Sequence, residues 1–373
     1  MQFIDLRMQY QSLKADIDKG IKSVLSHGQY IMGKEVSELE QRLSEFVGVK
    51  QSITCGNGTD ALQILYMAYG IGAGDVVFCP DVTFVATIEP ALMLGASPVF
   101  CDVDTGTFNI CLRSLKRQIN AVMTEGKRIP KAVVSVDILG NPADYANLER
   151  LCKEYGLLLF EDAAQSMGAF YHGQACGSFG DCAITSFFPA KPLGCYGDGG
   201  AIFTNNDYIA EMCKSIRVHG KSKKGKYHNE RIGVNSRLDT LQAAILLPKL
   251  KALKDYEISA RQQAAKRYND AFTNRFTIQK IEEGCQSIYS QYVLLAKSTK
   301  ERDKIVSRLT TKGIPSMVYY PAPLHELEVF REIKHYGETF ENSINYCNRT
   351  FSLPMHPYLS EVDQKRVIDT VLG

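Results

Sequence analysis

Apolar positions along the first two-thirds of the chain follow two alternating patterns, one with helical spacing and one of short continuous runs. Residues 9–27 read as a first helix, broken at His27-Gly28-Gln29-Tyr30. From Lys34 the apolar residues Val36, Leu39, Leu43, Phe46 and Val47 recur at helical spacing, and Gly48 stops them. Residues 52–55 predict a short strand, and Gly56-Asn57-Gly58-Thr59-Asp60 opens a helix to about Tyr69. The runs 76–79 and 98–101 predict buried strands with a helix over 84–94 between them. Residues 133–136 predict another strand, followed by a helix over 144–155 and a strand at 157–160. A further apolar run, 183–188, ends at Pro189-Ala190-Lys191, ahead of a loop with Gly194, Gly197, Gly199 and Gly200. This alternation implies a mostly parallel sheet covered on both faces.

Past Thr204 a helix is expected over 207–218, then a polar segment, 219–239, with no clear periodicity. Its lysines, Lys221, Lys223, Lys224 and Lys226, suit either a solvated loop or a seat for an anionic substrate. A long helical pattern covers 238–272, with a kink expected at Pro248. Strand-like runs at 292–296 and 316–320, with helices over 301–312 and 360–372, make the remainder α+β. The expected organisation is therefore a large α/β domain, 1–250, and a smaller α+β domain, 251–373.

Composition narrows the class. The 373 residues are 45% hydrophobic and 23% charged, ordinary for a globular protein with a sizeable core. A formal net charge of +2 argues against a dedicated nucleic-acid binder. The 11 cysteines form no C-x-x-C pair and no metal-ligand spacing, so no metal site is expected. Several, such as Cys79, Cys101 and Cys182, sit in apolar runs, where a reduced thiol behaves as a small hydrophobe. With no signal pattern at the N-terminus and no membrane-length apolar run, the expectation is a soluble cytoplasmic protein with no membrane partner.

Candidate chemistry gathers between Gly156 and Thr204. The strand at 157–160 ends in Glu161 and Asp162, and the run 183–188 leads to Lys191. In open α/β sheets ligands bind past the C-terminal ends of the strands. An acid and an amine meeting there point to pyridoxal phosphate, which a lysine carries and an acid faces at the ring nitrogen. Taken singly, Asp162 also suits a helix cap and Lys191 a solvated lysine. The glycines and Thr59 at 56–60 suit a phosphate seat at a helix start, or capping by Asn57, Thr59 or Asp60.

The motifs HGQYIMG, NGTDALQ, TFVATIEPALMLGASPVFCDVD, EDAAQSMGA, TSFFPAKPLGCYGDGGAIFTN, GVNSRLDTLQAAIL and SLPMHPYL follow in this order over nearly the whole chain. In this they resemble the fold-type I pyridoxal-phosphate enzymes, and among them the DegT/DnrJ/EryC1/StrS sugar aminotransferases. The resemblance implies an α/β fold, with a mostly parallel seven-stranded sheet in the large domain and a smaller C-terminal α+β domain. It implies transamination of a nucleotide-linked keto-sugar with L-glutamate as donor, by a homodimer with shared active sites, in surface-polysaccharide biosynthesis. The likeness is greatest to bacterial enzymes that aminate carbon 3 of a UDP-linked 3-oxo-N-acetylglucosaminuronate. Other UDP- or dTDP-linked keto-sugars stay open, as does a regulatory member of the same fold. The family's dehydratase branch carries histidine where this chain has Lys191.

Carried over position by position, the resemblance makes Lys191 the cofactor-bearing base and Asp162 the partner of the ring nitrogen. Gln165 would bond the cofactor's phenolic oxygen, and Phe84 would stack on its ring. Gly58, Thr59 and Ser186 would bind its phosphate, joined by Asn235 from a second subunit. Arg237, Tyr319, Tyr320 and His325 would face the sugar, with Arg217, His219 and His228 as further candidates near the nucleotide. Close relatives often carry histidine at the position of Tyr319. A neutral phenol does not offer a uronate the charge of an imidazolium, so acidic and neutral sugars both remain possible substrates.

Overall fold

The computed structural model of the chain describes residues 1–225 and 227–373; Lys226, counted above in the lysine run, lies outside the described residues. Strands in chain order are β1 (Gln51–Cys55), β2 (Asp75–Pro80), β3 (Ser97–Cys101), β4 (Ile129–Val136), β5 (Leu158–Asp162), β6 (Phe170–Tyr171), β7 (Gln174–Ala175), β8 (Cys182–Ser186), β9 (Gly200–Thr204), β10 (Thr277–Ile278), β11 (Cys285–Gln286), β12 (Tyr292–Leu295) and β13 (Thr350–Leu353). A seven-stranded sheet has the order β1-β9-β8-β5-β4-β2-β3. Only β9 runs against its neighbours, pairing antiparallel with both β1 and β8. The expected mostly parallel sheet is present.

Helices in chain order are α1 (Leu6–His27), α2 (Lys34–Val47), α3 (Gly58–Ala68), α4 (Glu89–Met93), α5 (Leu112–Glu125), α6 (Tyr145–Tyr155), α7 (Asp207–Ile216), α8 (Thr240–Ala252), α9 (Ile258–Phe272), α10 (Thr299–Thr311), α11 (Glu341–Arg349) and α12 (Glu361–Leu372). They cover both faces of the large sheet, because successive strand residues point to opposite sides. Val76, Phe78, Val133 and Leu159 face one core with Leu39 of α2, Leu115 of α5, Leu148 of α6 and Leu246 of α8. Val77, Cys79, Val134 and Phe160 face the other, with Ile64 of α3, Ala91 of α4 and Ile209 of α7. A third core gathers Tyr268, Leu294, Ile305, Phe351 and Val367 around the antiparallel sheet β10-β12-β13.

The sequence expectations depart from the structure in several places, among them α11 and β13, for which the sequence analysis has no element. Helix α5 was not anticipated, although Leu115, Ile119 and Val122 mark its buried face at helical spacing. The helix expected over 84–94 is an extended Phe84, a single 3₁₀ turn at Val85–Thr87 and the short α4. Pro90 sits in the first turn of α4, where its missing N–H costs no helical hydrogen bond, and the helix starts there rather than at Phe84. The long helix continues through Pro248, and its irregular turn is a π-type widening at Leu253–Glu257. The strand expected at 316–320 reduces to one bridge between Met317 and Ser352, since Pro321 and Pro323 bring no ladder donor to the stretch that follows. Among the described residues no helix is long and apolar enough to cross a membrane.

Candidate active site

Parallel strands bring their C-terminal ends to one edge, and the chemistry-bearing residues collect there. Asp162 is the last residue of β5 and is buried. Its Oδ1 accepts the N–H of Ala164 at 3.1 Å, and its Oδ2 accepts the hydroxyl of Thr87 at 2.9 Å. Thr83 lies behind Thr87, with the two hydroxyl oxygens 2.9 Å apart. Burial pushes the Asp162 pKa up, while the charge of Lys191 and these hydrogen bonds pull it back in part.

Lys191 lies five residues past the end of β8, in a loop that folds tightly on itself. Its N–H donates to the Phe188 carbonyl at 2.8 Å, and the Cys195 N–H donates to the Phe187 carbonyl at 2.8 Å. A Cβ at Gly194 would stand 2.4 Å from the Pro189 carbonyl oxygen, so the fold of this loop requires glycine. The buried Lys249 of α8 holds the far side, donating its ammonium to the Gly194 carbonyl at 2.6 Å. Desolvation holds the Lys191 pKa below the ordinary lysine value, against the opposing pull of Asp162. No hydrogen bond or ion pair engages the Lys191 amine among the described residues, so it stands near Asp162 without closing a salt bridge.

At the start of α3, Asn57 caps the helix by accepting the Asp60 N–H at 2.8 Å. That cap leaves the N–H groups of Gly58 and Thr59 without an acceptor in the helix, at its positive end. Capping and a phosphate seat are thus compatible at this turn. A Cβ on Gly58 would lie 2.9 Å from the Ser186 Cβ, so the absent side chain is what lets β8 approach the helix start. Ser186 Oγ accepts the Phe188 N–H at 3.3 Å, which leaves its own proton available.

Gln165 is buried, and its Oε1 accepts the Leu139 N–H at 2.8 Å. This bond orients the amide so that its NH₂ end faces the Tyr320 hydroxyl, 3.5 Å away. Phe84 is 55% exposed, with its ring 6.4 Å from that of Tyr320. The Tyr319 carbonyl accepts the Tyr346 hydroxyl at 2.7 Å, and both Tyr319 and Tyr320 have pKa values raised by burial.

Other candidates lie elsewhere. His325 turns inward: its backbone N–H and Nδ1 both engage the carboxylate of Asp81. Asn235 is exposed and Arg237 half-buried, and neither side chain makes a hydrogen bond or ion pair among the described residues. Between them Ser236 accepts the Gly56 N–H at 2.8 Å, which ties this segment to the start of α3. Arg217 does not reach the site; it is buried in an ion pair with Glu40 at 2.6 Å and donates to the Thr54 carbonyl. His228 sits 2.9 Å from the Ser222 hydroxyl, His219 is exposed, and Lys223 pairs with Glu211.

Sequence reasoning missed Asp81, Thr83 and Thr87. The two threonines bracket TFVAT at a spacing of four, a signal that a hydroxyl pair serves one neighbour. It also left Glu161 beside Asp162 without a role. Glu161 points to the opposite sheet face, where it forms a buried trio with Asp137 and Cys176 whose ligand atoms lie within 4.8 Å of one another. The four carboxylate oxygens of Asp137 and Glu161 already accept hydrogen bonds from Ala143, Tyr145, Ser166, Gly177 and Phe179. The pair braces the turn that carries Gln165.

Residues 11–372 match the DegT/DnrJ/EryC1/StrS aminotransferase family. The chain is 44% identical to the UDP-2-acetamido-2-deoxy-3-oxo-D-glucuronate aminotransferase of Pseudomonas aeruginosa, with 98% of each chain aligned. It superposes on the crystal structure of a DegT DnrJ EryC1 StrS aminotransferase from Brucella abortus with a TM-score of 0.97, at 43% identity over 100% of this chain and 99% of that one. NtdA of Bacillus subtilis, solved with bound cofactor PMP, superposes with a TM-score of 0.88 at 26% identity, covering 97% of this chain and 81% of that one. With a strand-end acid, an unpaired loop lysine and an open helix start on the same sheet edge, this chain belongs to the DegT/DnrJ/EryC1/StrS aminotransferase family.

Proposed function

We propose that the chain is a pyridoxal-phosphate aminotransferase for a nucleotide-linked keto-sugar, with UDP-2-acetamido-2-deoxy-3-oxo-glucuronate as substrate and L-glutamate as amino donor. The observation that carries this reading is the approach of Lys191 and Asp162 at one sheet edge: an amine past the end of β8 with no hydrogen bond or ion pair among the described residues, and a buried carboxylate at the end of β5. The residues present fit the cofactor. Its phosphate suits the open N–H groups of Gly58 and Thr59 with the hydroxyls of Thr59 and Ser186, beside a glycine whose missing side chain leaves room. Bound there, pyridoxal phosphate supplies an electron-accepting ring that carries the amino group between the two substrates.

The chain's own groups do the rest. Lys191 Nζ is the base that takes and returns the substrate proton, a task suited to an amine whose pKa is lowered by desolvation. Asp162, fixed by Thr87 and the Ala164 N–H, presents a negative charge to the ring nitrogen and holds its proton there. The Gln165 NH₂ end would bond the cofactor's ring oxygen, and Phe84 with Tyr320 would flank the ring. Asn235 and Arg237 act in the site of a second subunit in this reading, which the exposure of Asn235 and the lack of a hydrogen-bond or ion-pair partner for either side chain among the described residues support. Arg237 offers a carboxylate a bidentate fork.

The same reading divides the chain into a cofactor-binding unit, 1–250, and a smaller unit, 251–373, supported by the separate core around Tyr268 and Phe351 and by the wide turn at Leu253–Glu257. It places the reaction in the cytoplasm, in keeping with 11 free cysteines, and within surface-polysaccharide synthesis. A second reading keeps the chemistry but takes a keto-sugar without a carboxylate; the neutral phenol of Tyr319 favours it. A purely regulatory role has no support in a site whose acid, amine and helix start are all intact.

The test is the absorbance of purified protein loaded with cofactor. A visible band that L-glutamate bleaches and the 3-oxo-glucuronate restores is the expected result; restoration only by a neutral keto-sugar selects the second reading. A band indifferent to glutamate sinks the donor assignment. Thr59→Ala is expected to weaken cofactor binding by roughly 10- to 100-fold, the scale of one hydrogen bond to a charged group. Titrating the band against free cofactor measures this, and an unchanged affinity removes the Thr59 hydroxyl from the phosphate seat, since alanine keeps the N–H.

A further inference from the structure

We propose that Asp81 and His325 form a positioning pair that holds Tyr320 against Phe84 and Gln165 and so tunes recognition of the keto-sugar; this rests on the aminotransferase reading above. Residues 317–325 strap the two sheets together across the pocket. The outer end is fixed to the small sheet, where Met317 bridges Ser352 and the Tyr346 hydroxyl holds the Tyr319 carbonyl. Pro321 and Pro323, which have no N–H, follow. The inner end is fixed at Asp81, by its backbone carbonyl and by its carboxylate together.

Asp81 is fully buried, one residue past β2 on the edge that also carries Asp162. Its carbonyl accepts the Leu324 N–H at 2.8 Å, its Oδ1 accepts the His325 N–H at 2.9 Å, and its Oδ2 lies 2.7 Å from His325 Nδ1. The imidazole stacks on Phe340, with centroids 4.2 Å apart and planes 17° from parallel. A carboxylate removed from water in this way requires partners, and losing one strands the other.

Asp81 also precedes the turn that carries Thr83, Phe84 and Thr87, so the strap is anchored beside the ring-covering loop, which keeps its own Thr83–Thr87–Asp162 bonds. Between them Tyr320 is placed, 6.4 Å from the Phe84 ring and 3.5 Å from the Gln165 amide. A nucleotide-linked sugar is bulkier than glutamate and needs more of the surrounding residues held in place, so loosening the strap is expected to affect the sugar half-reaction more. His325 thus acts through Tyr320 rather than on the sugar itself.

The test uses cofactor-loaded Asp81→Ala, His325→Ala, the double variant and Asp81→Asn, with the two half-reactions measured separately. Each alanine variant is expected to lose about 10- to 100-fold in kcat/KM for the keto-sugar, the scale of a misplacement near 1 Å, while bleaching by glutamate stays within about 3-fold. The double variant is expected to lose no more than the worse single one, because the pair acts as a unit. Asp81→Asn, which still accepts the His325 N–H and can donate to a neutral imidazole, is expected to recover most of the loss. If Asp81→Ala does not fold, His325→Ala against Asp81→Asn carries the same comparison. Equal losses in both half-reactions, multiplying losses in the double variant, or an unaffected keto-sugar step would overturn the pair's role. Absence of a cofactor band in the unsubstituted protein would instead overturn the aminotransferase reading, and this inference with it.

Discussion

The Lys191→Ala protein is expected to lose turnover by at least about 10³-fold, the scale lost when a positioned acid–base group is removed. Alanine deletes the amine but leaves the loop, because its folding depends on other groups: the Phe188 and Phe187 carbonyls, Gly194 and the ammonium of Lys249. Thermal stability should therefore change little, and the cofactor should still bind through the α3 start, without the visible band that its link to lysine produces. Lys191→Arg should not rescue activity, since a guanidinium stays protonated and cannot take the substrate proton. In the cofactor-free protein Lys191 should react with an amine-selective reagent at a pH where solvated lysines are still protonated, because its pKa is lowered. Mixing Lys191→Ala with Arg237→Ala chains should restore activity if sites are shared across a dimer, since one site in the mixed dimer then holds both intact residues. Turnover within about 10-fold of the unsubstituted protein would remove Lys191 from the chemistry.

Asp162→Asn is expected to cost about 10²- to 10⁴-fold in both half-reactions with the fold intact. The change is isosteric. Asparagine Oδ1 can still accept the Ala164 N–H, and its NH₂ can donate to Thr87, whose hydroxyl then turns to Thr83. What disappears is the negative charge that, in the proposed function, faces the ring nitrogen. Rapid mixing with glutamate and with keto-sugar would show both rates falling together, which separates this effect from one on sugar binding. A fall confined to one half-reaction would mean that Asp162 serves that substrate rather than the ring.

Much of the fold was legible because its signals are local. The strands of the large sheet read as short apolar runs since both their faces are covered, and Gly28 and Gly48 mark helix ends without reference to anything distant. The misreadings share a cause as well. Phe84–Thr87 carries a helical apolar pattern, yet its backbone is committed to presenting Thr87 to Asp162, a residue 75 positions away in the sequence. Residues 316–320 look like a strand, yet no second rung forms beyond Met317 and Ser352.

The sheet, the helix start at Gly58, the acid at the end of β5 and the lysine after β8 could all be read from residue type and spacing within a few positions. The sequence also carried the family resemblance, since ordered motifs survive where pairwise contacts cannot be read. Only the tertiary structure decided how each candidate is used. Arg217 and His325, both plausible ligands by type, are drawn inward by Glu40 and Asp81, whereas Gln165 is aimed by a bond to Leu139. A side chain's role depends on which distant group competes for its hydrogen bonds and on how far water is excluded around it, and both are set only when strands remote in sequence close onto one edge.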